Sequence, residues 1–177
     1  MKKAVIIGDG VSKGARSPIL WNACFKYFDI NGEMLAVDVN SKNDLDNFFE
    51  EHLRDNNFIG GAVAAPIKQA VTDYFYENQN NNFELPTNCF YRGSNNNFVC
   101  LNTDILAAMH SIERNIDIKN IESLAILGDG SVGLSLAKHL QSFSSNKTLY
   151  TRNPNKIDIK GFNIHEDRKS TRLNSSH

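Results

Sequence analysis

Gly128, Gly130 and Gly133 form a G-x-G-x-x-G motif, the spacing with the clearest chemical meaning in this sequence. The motif directly follows a strand-like apolar segment and directly precedes a helical one, which is the context that a dinucleotide-binding turn requires. Glycines allow a tight turn and let a pyrophosphate approach the backbone, where N–H groups and the helix dipole favour negative charge. The motif predicts a nucleotide phosphate site; the alternative is an ordinary strand-to-helix turn.

Basic residues follow the next strand-like segment, in the sequence TRNPNK. Arg152 stands where an NAD-dependent enzyme usually presents a carboxylate to the ribose hydroxyl. A planar guanidinium suits a 2′-phosphate, and Lys156 adds a second positive charge. The segment therefore favours NADP over NAD, with a solvated surface arginine as the alternative.

Lys68 is the first candidate for catalysis. It follows a strand-like segment, a run of small residues and Pro66, which suits the first position of a helix. A lysine in a first turn faces the positive end of the helix dipole, where its charge is disfavoured. Such a lysine is either solvated or functional, and taken alone the solvated interpretation is the default.

Several polar residues stand where helices or turns are predicted to begin. Asp104 opens a helix in LNTD, where free N–H groups stabilise its ionised form. Asn88 and Asn102 have the character of turn or cap residues, and Ser17, before Pro18, is predicted as the N-cap of a helix. In isolation, each of these residues is explained by local structure.

The apolar segments alternate in type and predict an α/β fold with mainly parallel strands. The strand-like segments are residues 3–8, 34–39, 58–63, 89–91, 98–101, 123–127 and 148–151. The helical segments are residues 18–28, 42–53, 66–76, 103–115 and 132–143. Residues 78–82 are predicted to form a loop. The glycine cluster at residues 8–14 is predicted to be a loop over a ligand and not a second nucleotide site.

Composition favours a soluble globular protein with a small-molecule partner. Hydrophobic residues make up 41% and charged residues 22% of the chain. The nineteen basic and twenty acidic residues are interspersed, which argues against nucleic acid or an anionic membrane as partner. Cys24, Cys89 and Cys100 are odd in number and lack metal-ligand spacing, which favours reduced thiols, a cytoplasmic location and no metal. We expect a monomer or homodimer.

Several segments, in order along the chain, resemble motifs of the shikimate dehydrogenase family. ARSPILWN is similar to the family's S-x-S-P segment, and GGAVAAPIK to its G-x-N-V-T-x-P-x-K block, with Pro66 and Lys68 in register. Asn88 falls on the asparagine of A-x-N-T, and LNTD on Y-N-T-D. TRNPNK resembles the cofactor loop N-R-T-x-x-K. The resemblance runs from Val5 to about Lys156.

The resemblance implies an NADP-dependent oxidoreductase that reversibly reduces 3-dehydroshikimate to shikimate in chorismate and aromatic amino acid biosynthesis. It implies that Lys68 and Asp104 are catalytic, that Ser17 binds the substrate carboxylate, and that Asn88 and Asp104 contact ring hydroxyls; no metal is required. The implied cofactor-binding residues are Gly128, Asp129, Gly130, Ser131, Val132, Thr151, Arg152, Asn153 and Lys156. The implied domains are an α/β substrate-binding domain at residues 1–104 and the truncated start of a Rossmann NADP-binding domain at residues 105–166.

Four positions depart from the family pattern, and each departure removes a polar contact. Ala15 replaces a serine, Ala62 an asparagine, Ala64 a threonine and Cys89 a threonine. Loss of one hydroxyl that bonds a carboxylate costs roughly 1.5 to 3 kcal/mol. Two alternatives therefore stay open, a related quinate or other hydroxy-ring-carboxylate dehydrogenase and a non-catalytic binding paralogue. The retention of Lys68 and Asp104 favours an active enzyme over a non-catalytic paralogue.

The end of the chain, DRKSTRLNSSH at residues 167–177, matches the translation of a standard sequencing adapter. We expect these residues to be non-native and the cofactor domain to be truncated. A parallel sheet needs its later strands and covering helices to bury both faces. The fragment by itself is therefore expected to be inactive.

Overall fold

The computed structural model describes residues 1–79, 85–143 and 145–167. It confirms the α/β fold class, with a mainly parallel sheet followed by a partial Rossmann-like sheet. The chain divides into two compact units, of which the first is Met1–Thr103 and the second begins at Asp104. No helix in the described ranges is long and apolar enough to cross a membrane.

The first unit contains a five-stranded sheet in the order β2-β1-β3-β4-β5. Its strands are β1 (Lys2–Gly8), β2 (Gly32–Asp38), β3 (Phe58–Val63), β4 (Cys89–Arg92) and β5 (Phe98–Leu101). Its helices are α1 (Ser17–Tyr27), α2 (Lys42–His52) and α3 (Lys68–Gln79). β1 is parallel to β2 and β3, whereas β4 runs antiparallel to both β3 and β5. The carboxyl ends of β1, β2, β3 and β5 therefore lie along one edge of the sheet, called here the carboxyl edge.

An aromatic core holds α2 and α3 against one face of this sheet. Phe49 of α2, Phe75 of α3 and Phe90 of β4 are buried. The ring centroid of Phe49 lies 4.9 Å from that of Phe75 and 5.5 Å from that of Phe90. Helix α1 packs on the other face of the sheet, where Phe25 contacts Ala4 and Met34. The sheet has two faces to cover because successive side chains of a strand point to opposite sides. Both faces of β1 are thereby covered, which suits a central parallel strand.

The second unit contains three parallel strands in the order β6-β7-β8. The strands are β6 (Ser123–Leu127), β7 (Asn146–Thr151) and β8 (Asn163–Glu166), and the helices are α4 (Thr103–Asn115) and α5 (Ser131–His139). Ile105 and Met109 of α4, Ala137 of α5 and Leu149 of β7 belong to one buried cluster. This arrangement begins the β-α-β pattern predicted from the glycine motif.

Two predicted boundaries of α3 are wrong. The helix begins at Lys68 and not at Pro66, because residues 65–67 form a turn with a cis Ala65–Pro66 bond. It continues to Gln79, through the start of the predicted loop, and the Asn78 side chain donates a hydrogen bond to the Tyr74 carbonyl at 2.8 Å. Residues 80–82 of the predicted loop lie outside the described residues.

Strand β8 was not predicted. Its sequence, NIHE, is mostly exposed and lacks an apolar run, so it has no strong signal of its own. It forms by pairing with β7, with Thr148 opposite Asn163. Residues 168–177 of the predicted adapter-derived tail lie outside the described residues.

Candidate functional site

Lys68 lies at the carboxyl edge of the first sheet, where β3 leads into α3. The Ala64 N–H donates to the Ile7 carbonyl at 2.9 Å, which joins the start of this turn to the end of β1. Lys68 is half-buried in the first turn of α3, as predicted. Its backbone carbonyl lies 3.1 Å from the hydroxyl of the buried Thr72, which also contacts Thr87 at 2.9 Å. These contacts hold the first turn of α3 against the segment that precedes Asn88.

Asn88 lies between the ends of β3 and β5. Its carbonyl accepts from the Val63 N–H at 2.8 Å, and its N–H donates to the Leu101 carbonyl at 3.0 Å. Its side-chain oxygen accepts from the Thr103 N–H at 2.8 Å, and its amide nitrogen donates to the Thr103 hydroxyl at 2.9 Å. The structure thus gives Asn88 the capping role at the start of α4. A substrate contact by Asn88 stays a prediction.

Asn102 and Asp104 flank Thr103. Asn102 is buried, and its amide nitrogen donates to the Pro86 carbonyl at 2.8 Å, consistent with a turn residue. Asp104 lies in the first turn of α4, as predicted. It is also the first residue of the second unit. Its pairing with Lys68 stays a prediction.

Ser17 is not the N-cap of α1, and that prediction is wrong. The helix begins at Ser17, and the capping position belongs to Arg16, which already has helical backbone angles and makes no side-chain capping bond. The helix starts earlier because the Leu20 N–H bonds to the Arg16 carbonyl at 3.2 Å. Ser17 is half-buried, and a substrate contact by its hydroxyl stays a prediction.

Sequence reasoning missed Asp38, at the end of β2. Its two carboxylate oxygens accept from the Ser12 N–H at 2.8 Å and from the Ser12 hydroxyl at 2.5 Å. These hydrogen bonds hold the pKa of the Asp38 carboxyl below its usual range. Ser12 lies in the short 3-10 turn Val11–Lys13 that connects β1 with α1. Asp38 carries no motif signal, because its role depends on pairing between two strand ends distant in sequence.

Two of the departures from the family pattern lie opposite each other in the sheet. Ala62 of β3 pairs with Cys89 of β4. Both line an apolar cavity of about 200 Å³, together with Trp21, Phe25 and Ile59 among others. Burial raises the pKa of the Cys89 thiol. This wall therefore offers few polar partners to a ligand.

The glycine motif of the second unit forms the turn between β6 and α5. Gly128 has a φ of +101°, and its N–H donates to the Tyr150 carbonyl at 2.8 Å. A Cβ atom at Gly133 would lie 2.3 Å from the Gly128 carbonyl oxygen, so the turn requires glycine there. A Cβ atom at Gly130 would meet no protein atom within 4 Å. Gly130 caps α5 without a side-chain bond, so the turn has open space and helix N–H groups suited to a phosphate.

The basic loop follows β7 at the same edge as the glycine turn, because β6 and β7 are adjacent and parallel. Thr151 is buried, and its hydroxyl accepts from the Asn153 N–H at 3.0 Å, which shapes the start of the loop. Arg152 and Lys156 are exposed. The remaining predicted cofactor residues lie in the turn, with Asp129 and Ser131 half-buried and Val132 exposed. The structure thus brings both cofactor motifs to one edge of the second sheet.

Residues 6–82 match a family model described as the shikimate dehydrogenase substrate binding domain. A search of curated proteins finds no match. Among solved structures, a shikimate dehydrogenase in complex with NADP+ is 23% identical and aligns with a TM-score of 0.69 over 88% of this chain and 53% of its own. The shikimate dehydrogenase of Thermus thermophilus, in complex with NADP(H) and shikimate, is 18% identical, with a TM-score of 0.65 over 88% of this chain and 58% of its own.

The quinate dehydrogenase of Corynebacterium glutamicum, in complex with NAD, is 16% identical and aligns with a TM-score of 0.65 over 93% of this chain. The chain spans between 53% and 64% of the length of these three structures. At these identities the structural likeness establishes the fold. Residues 6–82 therefore match the model of the shikimate dehydrogenase substrate binding domain, and the chain has the fold of the shikimate and quinate dehydrogenases.

Proposed function

We propose that the chain is part of an NADP-dependent oxidoreductase that interconverts 3-dehydroshikimate and shikimate. The observation that carries this proposal is Lys68 at the carboxyl edge of the first sheet, inside the segment that matches the substrate-binding domain. The helix dipole disfavours a positive charge in a first helical turn. The resemblance to the family pattern assigns the catalytic lysine to this position.

The second unit offers a site that fits NADP. The Gly128–Gly133 turn has open space at Gly130 and uncapped N–H groups for a pyrophosphate. Arg152 and Lys156 are exposed at the same edge, where two positive charges suit a 2′-phosphate. Two of the similar shikimate dehydrogenases were solved with NADP, whereas the similar quinate dehydrogenase was solved with NAD. NADPH, when bound, supplies the hydride for the reduction.

Lys68 stabilises the negative charge that develops on the ketone oxygen and supplies the proton that this oxygen takes up. In the oxidation direction, the neutral amine accepts that proton. Asp104 orients Lys68 and accepts a hydrogen bond from a ring hydroxyl. Ser17 donates to the substrate carboxylate, and Asn88 uses the second hydrogen of its amide group for another ring hydroxyl, since the first bonds Thr103.

Quinate, or another hydroxylated ring carboxylate, is the second candidate substrate. The apolar wall formed by Ala62 and Cys89 leaves this candidate open, because the wall lacks the polar groups that the family pattern places there. A site with fewer polar partners discriminates less between ring hydroxyl patterns. Ala15 removes one more hydroxyl near the start of α1.

Turnover and binding test the proposal separately. Turnover is measured as NADP reduction with shikimate and with quinate, on the reading frame that contains residues 1–166 and continues beyond them in the source DNA. Binding of both acids and of NADP is measured on the chain itself, by calorimetry and by the fluorescence of Trp21, the single tryptophan. Shikimate turnover supports the proposal, and turnover of quinate alone supports the second candidate. Binding of an acid without turnover favours a non-catalytic paralogue, and absence of both refutes the proposal.

A further inference from the structure

We propose that Asp38, acting through Ser12, is a positioning residue that fixes the substrate-binding end of α1. The Asp38–Ser12 contact holds the loop at residues 9–16, which leads directly to Ser17. The inference rests on the proposed function, because it assigns this loop to substrate binding. Asp38 is not proposed to contact a reacting atom.

The contact joins the ends of two neighbouring parallel strands. Asp38 is the last residue of β2, and Ser12 follows β1, the strand beside it. Both carboxylate oxygens are used, one by the Ser12 N–H and one by the Ser12 hydroxyl. Hydrogen bonds to an ionised acceptor are stronger than neutral ones. The paired geometry fixes both the position and the orientation of the turn at Val11–Lys13.

Two consecutive turns closed by backbone hydrogen bonds connect this contact with α1. The Ala15 N–H donates to the Val11 carbonyl at 3.0 Å, so the turn held by Asp38 extends to Ala15. The Leu20 N–H then donates to the Arg16 carbonyl at 3.2 Å, which begins the helix. Ser17 lies within the turn that the second bond closes, directly after the first turn. Its hydroxyl is therefore placed by a loop whose conformation depends on Asp38.

The same loop packs against the turn that leads to Lys68. A Cβ atom at Gly8 would lie 2.9 Å from the Val11 side chain and 2.8 Å from the Ala64 side chain, so both turns close tightly over Gly8. The Val39 N–H donates to the Gly8 carbonyl at 3.0 Å and holds the end of β2 at this point. A loop released from Asp38 would loosen its packing against the turn before α3. The predicted effect thus concerns substrate binding within the first unit.

Asp55 provides a matched control at the opposite edge of the sheet. Its carboxylate also accepts two hydrogen bonds, from Lys3 Nζ at 2.8 Å and from the Asn57 N–H at 2.8 Å. These bonds also lower the pKa of Asp55. Asp55 precedes β3, so it lies at the amino ends of the parallel strands. A general loss of fold stability would appear in both variants, whereas a positioning role would appear only in Asp38→Ala.

The experiment compares Asp38→Ala, Asp38→Asn, Ser12→Ala, the Ser12→Ala/Asp38→Ala double variant and Asp55→Ala. Dissociation constants for shikimate and NADP are measured by calorimetry, the melting temperature is recorded, and amide hydrogen exchange is followed in residues 9–16. In the longer protein, the KM for shikimate and kcat are also measured. If the loop is correctly placed in about one-tenth of Asp38→Ala molecules, shikimate binds about tenfold more weakly.

We expect Asp38→Ala to raise the shikimate dissociation constant and KM, to accelerate exchange in residues 9–16, and to leave kcat and NADP binding unchanged. Asp38→Asn keeps one acceptor oxygen and is expected to lie between wild type and Asp38→Ala. The double variant is expected to match Asp38→Ala, because both residues act through one contact. Asp55→Ala is expected to bind shikimate as wild type does.

Unchanged shikimate binding in Asp38→Ala would overturn the inference, as would equal weakening in Asp55→Ala. A wild-type protein that binds and converts neither shikimate nor quinate would instead refute the proposed function, and the substrate role of the loop with it. Faster exchange in residues 9–16 without a change in shikimate affinity would mean that the Asp38–Ser12 contact stabilises the loop but does not position Ser17, which also overturns the inference. These outcomes separate failure of the inference from failure of the proposed function.

Discussion

Gly60 and Gly61 in β3 are surrounded by the protein's own backbone, whereas Gly130 in the turn after β6 is not. A Cβ atom would lie 2.2 Å from the Phe90 carbonyl oxygen at Gly60 and 2.5 Å from the Val5 carbonyl oxygen at Gly61. At Gly130 it would meet no protein atom within 4 Å. The glycines of β3 are therefore explained by packing of the sheet, whereas packing against the described residues does not explain Gly130. A phosphate site at Gly130 stays a prediction.

Substitution of Gly60 by alanine is expected to disrupt the packing of β3 against β4 and to have the largest effect on stability. The new methyl group collides with the backbone of β4, and the φ of +135° at Gly60 is strained for any L-residue. We expect Gly60→Ala to lower the free energy of unfolding of the first unit by more than about 3 kcal/mol. Urea unfolding followed by Trp21 fluorescence measures this change, since Trp21 lies in α1. A loss below about 1 kcal/mol would contradict the packing at β3.

Substitution of Gly130 by alanine should affect the ligand and leave the fold intact. Its φ of −65° suits alanine, and the added methyl group has open space. We expect an unchanged melting temperature and NADP binding weakened about 100-fold, because the methyl group occupies the approach of the pyrophosphate. Calorimetry with NADP and a thermal scan test both expectations. A destabilised protein, or NADP affinity equal to that of wild type, would contradict the comparison.

Substitution of Arg152 by alanine should sharpen the cofactor assignment. The exposed guanidinium is expected to bond the 2′-phosphate, and loss of a hydrogen bond to a charged group weakens binding at least about tenfold. NAD lacks this phosphate, so its affinity should stay the same. Dissociation constants for both nucleotides, measured on wild type and Arg152→Ala, provide the test. Equal weakening of both would mean that Arg152 does not select NADP.

The smallest expected effect concerns Cys100 of β5, which pairs with β4, the strand next to Gly60. Burial raises the pKa of this thiol from its ordinary value of 9.0 to about 11. The unfolded chain loses this proton first, so the contribution of Cys100 to stability should decline as the pH rises from about 9 to about 11. At pH 8, iodoacetamide should modify Cys100 more slowly than the half-buried Cys89. Mass spectrometry of the alkylated peptides measures this order, and faster modification of Cys100 would contradict it.

Much of the fold follows from periodicity in the sequence. The predicted bounds of β3, β5, α4 and β6 agree with the structure, because each of these segments has clear apolar periodicity and defined flanking residues. Pro66 misled the prediction of α3, since a proline after small residues fits a turn as well as a helix start. β8 escaped prediction because its residues are mostly polar and its strand form depends on β7.

The candidate site was partly predictable, because some of its residues carry local sequence signals. The glycine turn and the Lys68 position carry local sequence signals, and the structure places them at the ends of β6 and β3 as those signals imply. Ser17 was assigned the wrong local role, because the turn of α1 already begins at Arg16. The Asp38–Ser12 contact was not foreseen, because it joins residues whose proximity is created only by the parallel pairing of β1 and β2. Contacts between distant strand ends leave no short motif.

Turnover by Lys68→Ala tests directly whether Lys68 provides the proton and the charge stabilisation for ketone reduction. The variant is compared with wild type in the reading frame that continues beyond residue 166, with shikimate and quinate as substrates and NADP binding as the control for a folded second unit. We expect kcat to fall by at least about 100-fold, while NADP binding and the melting temperature stay close to those of wild type. Turnover equal to that of wild type would contradict the assignment of Lys68 and the mechanism built on it.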